Sequence, residues 1–402
     1  MRFRLSADGW LIFAACAVRS FAYGFISIIL GLYLDAVGLS TTEIGWIFTA
    51  ALAGGAVMTI VIASVADRVG RKNMLVLGAG LMALAGWIFV VSGSPILLAL
   101  AAVFGTISPS GKDVGPFLSL EQAILPQSTS DQQRTAVFSA YNLVGSFASA
   151  LGALAVSLPQ SFVTLALSRF RFLVWSYVVC AFLMMALFLF LSRSIEANRK
   201  TTWRESKIGL HQSGGKVTKL AALFALDAFA GGFIVQGIVA YWFHLRYAAD
   251  LNQLSGIFFG INILSAVSFL AAPAIARRIG LLNTMVFTHL PSNFLILLVP
   301  FMPSLELTVI VLLLRNLLSQ LDVPTRQSYT MAIVEPDERA SVAGLLSVSR
   351  NTGAALAPLF TGAILANPVY GWPFLLAGGL KVIYDLLIFA LFRNVKPPEE
   401  AN

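Results

Sequence analysis

Charge is scarce in this chain. Only 11% of its 402 residues are Asp, Glu, Lys or Arg, against about 25% in a soluble domain. A soluble helical protein with a very large core needs many more charges on its outside, which argues against that class. Cysteine is equally sparse: Cys16 and Cys180 both fall inside apolar runs and form neither a disulfide framework nor a ligand set. The three histidines, His211, His244 and His289, lack ligand spacing, so no metal is expected. A phosphate-cradling Gly-x-x-x-x-Gly-Lys-Ser/Thr loop is missing too, because the Gly-Lys at 111–112 stands without the rest of the motif. Direct ATP hydrolysis and a bound cofactor are therefore not expected.

Apolar sequence is what the chain has. It is 58% hydrophobic, and its apolar runs approach 20 residues, the length that crosses about 30 Å of hydrocarbon as a helix. The runs predict twelve spans: 9–33, 42–66, 74–93, 95–126, 135–158, 170–192, 218–244, 253–276, 283–302, 304–331, 340–366 and 372–393. The first run is too long for a signal-peptide core and no small-residue cleavage site follows it, so it reads as the first transmembrane helix. The expected fold is an all-α membrane protein of twelve transmembrane helices. A polar, basic stretch separates six spans from six, giving an N-terminal bundle over 1–192, a linker loop over 193–217 and a C-terminal bundle over 218–402.

Orientation follows from basic residues, which collect in cytoplasmic loops. With both termini in the cytoplasm, the segments on that side hold 18 of the 27 Lys and Arg residues. The opposite side holds Arg169, Arg171 and Arg246 alone. The formal net charge of +8 thus reads as membrane topology and not as a nucleic-acid surface. Without a transit sequence, the expected location is a prokaryotic cell (inner) membrane.

The two halves resemble each other. Ala66-Asp-Arg-Val-Gly70 after span 2 answers Ala276-Arg-Arg-Ile-Gly280 after span 8, at an offset of 210. Asp113-Val and Ala123-Ile in span 4 answer Asp322-Val and Ala332-Ile in span 10, at an offset of 209. A near-constant offset predicts two pseudo-symmetric repeats of six spans, an arrangement that places a transporter's substrate site near mid-membrane between halves.

The stretch Ala63-Ser-Val-Ala-Asp-Arg-Val-Gly-Arg-Lys-Asn-Met-Leu75 resembles the signature loop between helices 2 and 3 of the major facilitator superfamily. Ala66, Asp67, Arg68, Gly70, Arg71, Lys72 and Leu75 match the pattern, while Ala63 and Val65 replace its leading Gly and its Leu. The resemblance extends over nearly the whole chain through the six-plus-six split. It implies the superfamily's fold, secondary transport by alternating access, and a conformational latch at Asp67, Arg68, Gly70 and Arg71. On physical grounds alone, Gly70 permits a tight turn, the three cations anchor the loop in the cytoplasm, and Asp67 can pair with them or with a helix N-terminus. In the second copy Arg277 holds the Asp position, so the latch is absent or different there. The Gly145-Ser-Phe-Ala-Ser-Ala-Leu-Gly152 run of span 5 reads as close helix packing.

Buried ionisable groups carry the functional reading. Each costs at least about 2.5–3.5 kcal/mol at the centre of a span unless it pairs, snorkels or faces a cavity. In span 4, Pro109, Gly111, Gly115 and Pro116 bracket Lys112 and Asp113 and predict a broken helix, with Glu121 two turns further on. In span 10, Arg315, Ser319, Asp322 and Arg326 recur at steps of four, three and four and form one polar stripe, and Pro324 again interrupts the helix. Span 1 carries Arg19 and Tyr23; span 7 carries Asp227 and Gln236. The resemblance implies that helices 1, 4, 7 and 10 line the cavity, and each holds a buried charge here. The cavity candidates for substrate or proton coupling are Arg19, Tyr23, Lys112, Asp113, Glu121, Asp227, Gln236, Arg315, Asp322 and Arg326. The alternative for these groups is a set of structural ion pairs. Arg350 and Asn351 read as structural, as do Lys381 and Asp385, which are spaced to satisfy each other on one helix.

The function expected is secondary transport of a small molecule, with protons as coupling ion, the bilayer as surroundings, a monomeric state and no nucleic-acid partner. Carboxyl groups removed from water take up protons more readily, which suits proton-coupled efflux. Arg19, Lys112, Arg315 and Arg326 suit instead an importer of an organic anion. An intramembrane enzyme lacks a nucleophile–base constellation, and a non-transporting sensor or scaffold has no use for the latch.

Overall fold

The computed structural model describes residues 5–111, 116–125, 134–161, 163, 165–196, 213–335, 338–365, 371–395 and 397. The described residues contain helices and no strand. In chain order the helices are α1 (Ala7–Ala36), α2 (Thr41–Val69), α3 (Arg71–Val91), α4 (Pro95–Phe104), α5 (Pro116–Ile124), α6 (Arg134–Ala155), α7 (Ala166–Leu189) and α8 (Gly214–Gly232). They continue with α9 (Gln236–Tyr247), α10 (Leu251–Ile279), α11 (Leu281–Leu298), α12 (Leu305–Ser319), α13 (Asp322–Ala332), α14 (Arg339–Ile364) and α15 (Trp372–Phe392). Among the described residues nine helical segments are long and apolar enough to cross a membrane, and two shorter apolar helices accompany them. Counting α4 with α5, α8 with α9 and α12 with α13 as spans in two pieces, the set is consistent with twelve.

Local sequence explains the ends. Ser6 caps α1 through Gly9 N–H, and Ser40 with Glu43 forms a reciprocal capping box on α2. Outward faces carry large apolar side chains such as Leu84, Leu100, Phe147, Val179, Phe182, Leu270 and Leu386, all exposed. A water-soluble surface does not tolerate so many; a lipid-facing one requires them.

Three spans break, and two of the breaks follow from proline. A proline ring collides with the carbonyl four residues before it. Pro324 sits in the first turn of α13, and α12 ends at Ser319, just before Gln320. The stripe from Arg315 to Arg326 is therefore not one continuous helical face: Arg315 and Ser319 lie on α12, Asp322 and Arg326 on α13. In span 4 the helix stops at Phe104, Thr106 (φ 51°) and Gly111 (φ 67°) take left-handed backbone, and helix resumes at Pro116. The break in span 7, between Gly232 and Gln236, has no proline and follows Gly231-Gly232.

The chain divides into two compact units, Met1–Trp203 with Val235–Asn262, and Arg204–Ile234 with Ile263–Asn402. Span 7 is thus shared, with α8 in the second unit and α9 in the first. In the first unit α1 is the central helix, packed on α6, α7 and α9, while α3 packs on α7 and α2 on α4. The α1–α6 crossing is backbone on backbone. A Cβ on Gly24 would lie 2.2 Å from the Ser149 carbonyl oxygen, and one on Gly152 2.1 Å from that of Phe21. In the second unit α8 packs on α14 and α15, and α11 on α12, α13 and α15. The α8–α14 crossing repeats the device: a Cβ on Gly232 would lie 2.5 Å from the Ala354 oxygen, and one on Gly353 2.3 Å from that of Ala225. A core of Leu220, Phe224, Met285, Tyr329, Val342, Tyr384 and Ile388 fills this unit.

Gly152→Val forces the α1–α6 crossing apart and is expected to cost about 1–3 kcal/mol or more. Gly80→Ala, on a helix where a Cβ meets nothing within 4 Å, is the matched control. Thermal unfolding of both purified proteins in detergent checks the contrast: a large loss of Tm for the first, none for the second.

Candidate functional site

Two buried ion clusters stand out, one in each unit. The first joins α1, α5 and α6. Arg19 Nη1 donates to Glu121 Oε1 at 2.5 Å and Nη2 to Oε2 at 2.7 Å, a bidentate fork. Arg19 Nη2 also donates to the Tyr141 hydroxyl at 2.9 Å, and that hydroxyl donates in turn to Glu121 Oε2. Arg19 and Glu121 are fully buried, and the Phe117 ring lies 5.2 Å below the guanidinium.

The second cluster joins α8, α13, α14 and α15 around Asp227. Lys381 Nζ donates to Asp227 Oδ1 at 2.5 Å. Arg326 and Arg350 both donate through Nη1 to Oδ2, at 3.0 and 3.2 Å. Arg326 also pairs with Asp322 Oδ2 at 3.0 Å, one helical turn back, and its guanidinium lies 5.4 Å from the Phe224 ring centroid. Beside the cluster, Asp385 of α15 accepts from Asn293 Nδ2 at 2.8 Å and lies 2.8 Å from His289 Nδ1, both on α11.

The clusters occupy matching places in the repeat. Ala17-Val-Arg-Ser-Phe-Ala-Tyr-Gly-Phe25 of α1 aligns with Ala225-Leu-Asp-Ala-Phe-Ala-Gly-Gly-Phe233 of span 7 at an offset of 208. Arg19 thereby answers Asp227, with its charge reversed. Tyr141-Asn142 of α6 aligns with Arg350-Asn351 of α14 at 209, so the third members of the two clusters correspond as well.

Other candidates take their own places. Tyr23 is buried on α1. Gln236, the first residue of α9, donates to Ser27 Oγ at 3.0 Å, and Gly237 N–H donates to the Pro109 carbonyl at 2.9 Å, which ties α9 to the break in span 4. Arg315 donates to Asn316 Oδ1 at 3.2 Å. Lys112 and Asp113 lie outside the described residues, as does the side chain of Asp67. Arg68 is exposed, and Gly70 turns the chain between α2 and α3 at φ 107°. Arg71 N–H and Lys72 N–H, at the start of α3, donate to the Glu196 carboxylate at 2.6 and 3.2 Å. Lys72 Nζ closes the end of α7 through the Leu189 and Leu191 carbonyls, both at 2.8 Å.

Sequence reasoning missed several members. Lys381 was expected to satisfy Asp385 on its own helix; instead Lys381 reaches Asp227 and Asp385 reaches His289 and Asn293. Arg350, read as structural, shares the Asp227 oxygen that Arg326 holds. Tyr141 and Glu196 carried no signal in the chain order.

The sequence and the fold both match those of known proteins. The Major Facilitator Superfamily model matches residues 12–319 and 294–402, and the chain belongs to that family. It is 27% identical to the uncharacterized membrane protein YJR124C of Saccharomyces cerevisiae, across 97% of this chain and 95% of that one. Its fold matches the crystal structure of the nucleoside transporter NupG, with a TM-score of 0.75 at 15% identity, covering 96% of this chain and all of the other. It also matches that of a D-xylose-proton symporter, with a TM-score of 0.76 at 13% identity, covering 98% and 99%. The protein is an integral, multi-pass membrane protein with a transporter fold.

Removing one partner of a fully buried pair leaves a naked charge, which costs about 3–5 kcal/mol. Glu121→Gln is therefore expected to unfold at markedly lower temperature than wild type. Replacing the whole triad, Arg19→Met with Glu121→Met and Tyr141→Phe, is expected to recover most of that loss in the same melting assay.

Proposed function

We propose that the protein is a secondary active transporter that exports a small organic molecule by alternating access, driven by protons. The observation that carries this reading is Asp227: one buried carboxylate shared by cations from three helices, next to the break in its own span. A proton on Asp227 would cancel the charge that gathers Arg326, Arg350 and Lys381. Proton binding would then be felt at once by α13, α14 and α15. Glu121 offers the same logic to α1, α5 and α6. Among proteins of the same fold, one is a D-xylose-proton symporter. Buried carboxylates in spans are the usual seat of proton relays.

In this reading the moving parts are the bundles over 1–192 and 218–402, joined by the 193–217 linker, in a monomer whose termini both lie in the cytoplasm of a cell whose inner membrane it spans. Basic-residue asymmetry supports that orientation. Lys112 and Asp113 contribute to the substrate and proton path with Arg19, Tyr23, Glu121, Asp227, Gln236, Arg315, Asp322 and Arg326. Asp67, Arg68, Gly70 and Arg71 form the latch, and the carboxylate of Glu196 on the adjacent helix start supports a conformational role for that loop. A second reading, import of an organic anion by proton symport, draws on the excess of cations around Asp227.

Wild type, Asp113→Asn, Asp227→Asn and Asp67→Asn are to be expressed in a host stripped of its major exporters and challenged with toxic cations, neutral drugs, organic acids and metalloid salts. Wild type is expected to protect against one class, and each mutant at equal membrane abundance to lose protection at least ten-fold. Undiminished proton-driven flux in Asp113→Asn and Asp227→Asn would falsify the coupling roles. Lack of protection together with accumulation of a labelled anion would favour import.

A further inference from the structure

The charges in the second cluster do not balance. Among the described residues, its carboxylates are Asp227 and Asp322, and its cations are Arg326, Arg350 and Lys381. Arg315 on α12 lies within electrostatic range of both carboxylates and adds a fourth cation. Lys381 at 2.5 Å and Arg326 at 3.0 Å already neutralise Asp227 and Asp322 between them. Arg350 and Arg315 are the surplus. Counting Asp385 as well still leaves the four Lys and Arg cations against three carboxylates. In the first cluster the Arg19 guanidinium pairs with the Glu121 carboxylate.

The two surplus residues are also the under-bonded ones. Arg350 holds Asp227 by one nitrogen, at 3.2 Å, on an oxygen that Arg326 occupies at 3.0 Å. Its side chain is 35% exposed, while those of Arg326 and Lys381 are each 8% exposed. Arg315 donates to a neutral amide oxygen, and its Nε is buried with no hydrogen-bond partner among the described residues. A guanidinium carries five N–H donors in a planar fork that matches carboxylate and phosphate oxygens two at a time. Inside a membrane span such a group demands an anion, and the described side chains give Arg350 only a shared oxygen of Asp227 and Arg315 no direct carboxylate contact.

We infer that the transported solute is a small organic oxyanion, a carboxylate or phosphate, and that Arg350 grips it with Arg315 as second contact. This rests on the transporter reading above and names the substrate class of the same site. Asp227 and Lys381 then act as the frame: their short pair keeps α8 and α15 together and leaves the Arg350 fork free to exchange its weak bond to Asp227 for one to the solute.

The test uses the purified full chain in detergent with five probes of similar size: benzoate, succinate and phenyl phosphate as anions, benzamide as neutral and benzylamine as cation. At least one anion is expected to raise the unfolding temperature in a saturable way, with benzamide and benzylamine inert. Arg350→Gln is expected to weaken that apparent affinity at least ten-fold while its ligand-free melting stays near wild type. Should that variant fold poorly, Arg315→Gln serves, with a smaller loss expected. Benzoate against phenyl phosphate separates a carboxylate site from a phosphate site. The inference is overturned by stronger stabilisation from benzylamine or benzamide, by no stabilisation from any anion, or by full anion affinity in both variants. Flux of the stabilising anion into proteoliposomes is measured separately. Binding without flux would retain the anion site and sink the transporter reading, whereas flux of a neutral or cationic probe would do the reverse.

Discussion

A charge inside hydrocarbon must find its opposite, and the helices of this protein are placed to satisfy that demand. Asp227 illustrates it. No single neighbouring helix completes its surroundings: α13 brings Arg326, α14 brings Arg350 and α15 brings Lys381, and all converge on two oxygens. The apolar core of the same unit supplies the packing, but apolar contact is non-directional and lipid tails compete for it on equal terms. The ion cluster supplies the direction. It fixes which faces of α8, α13, α14 and α15 look at each other, as the Arg19–Glu121–Tyr141 cluster does for α1, α5 and α6.

The same demand explains why the repeat survives in packing more clearly than in sequence. Each unit crosses two helices at glycines so tightly that a Cβ would strike a backbone oxygen. Just before each crossing stands a buried charge, Arg19 in one unit and Asp227 in the other. The sign reverses, yet the position does not. A buried site constrains the pair and its geometry, not which partner bears which charge, so sign can drift where place cannot.

Much of this was legible in the chain and part was not, for identifiable reasons. Span positions agree with the helices to within a few residues because hydropathy is a local sum. The breaks in spans 4 and 10 were legible because proline acts on its own chain four residues back. The break in span 7 escaped because Gly231-Gly232 weakens a helix without forbidding it, and Val235 had to be placed by its surroundings. Ion partners were the least legible. Lys381 and Asp385 stand four apart and invite a local pair, but each finds a partner on another helix. Pairing in the membrane is decided by which groups share a depth and a facing, and neither quantity is written in the spacing along one helix. His289 lacked a ligand motif and was passed over, although an imidazole with a buried carboxylate needs no motif to be held.

The reach of Lys381 to Asp227 goes with one difference between the repeats. At the offset of 208, Tyr23 of α1 corresponds to Gly231 of α8. Tyr23 is almost wholly buried and occupies the space one turn beyond Arg19. At Gly231 that space is open, and a Cβ there would already touch Lys381, whose Nζ lies 3.8 Å away. A ring as large as that of Tyr23 would compete with the lysine for this space. Removing the aromatic ring thus does two things at once: it makes room for a third cation on Asp227, and, with Gly232, it weakens the helix where span 7 breaks. Span 1 is continuous through Tyr23, whereas span 7 is interrupted just after Gly231-Gly232.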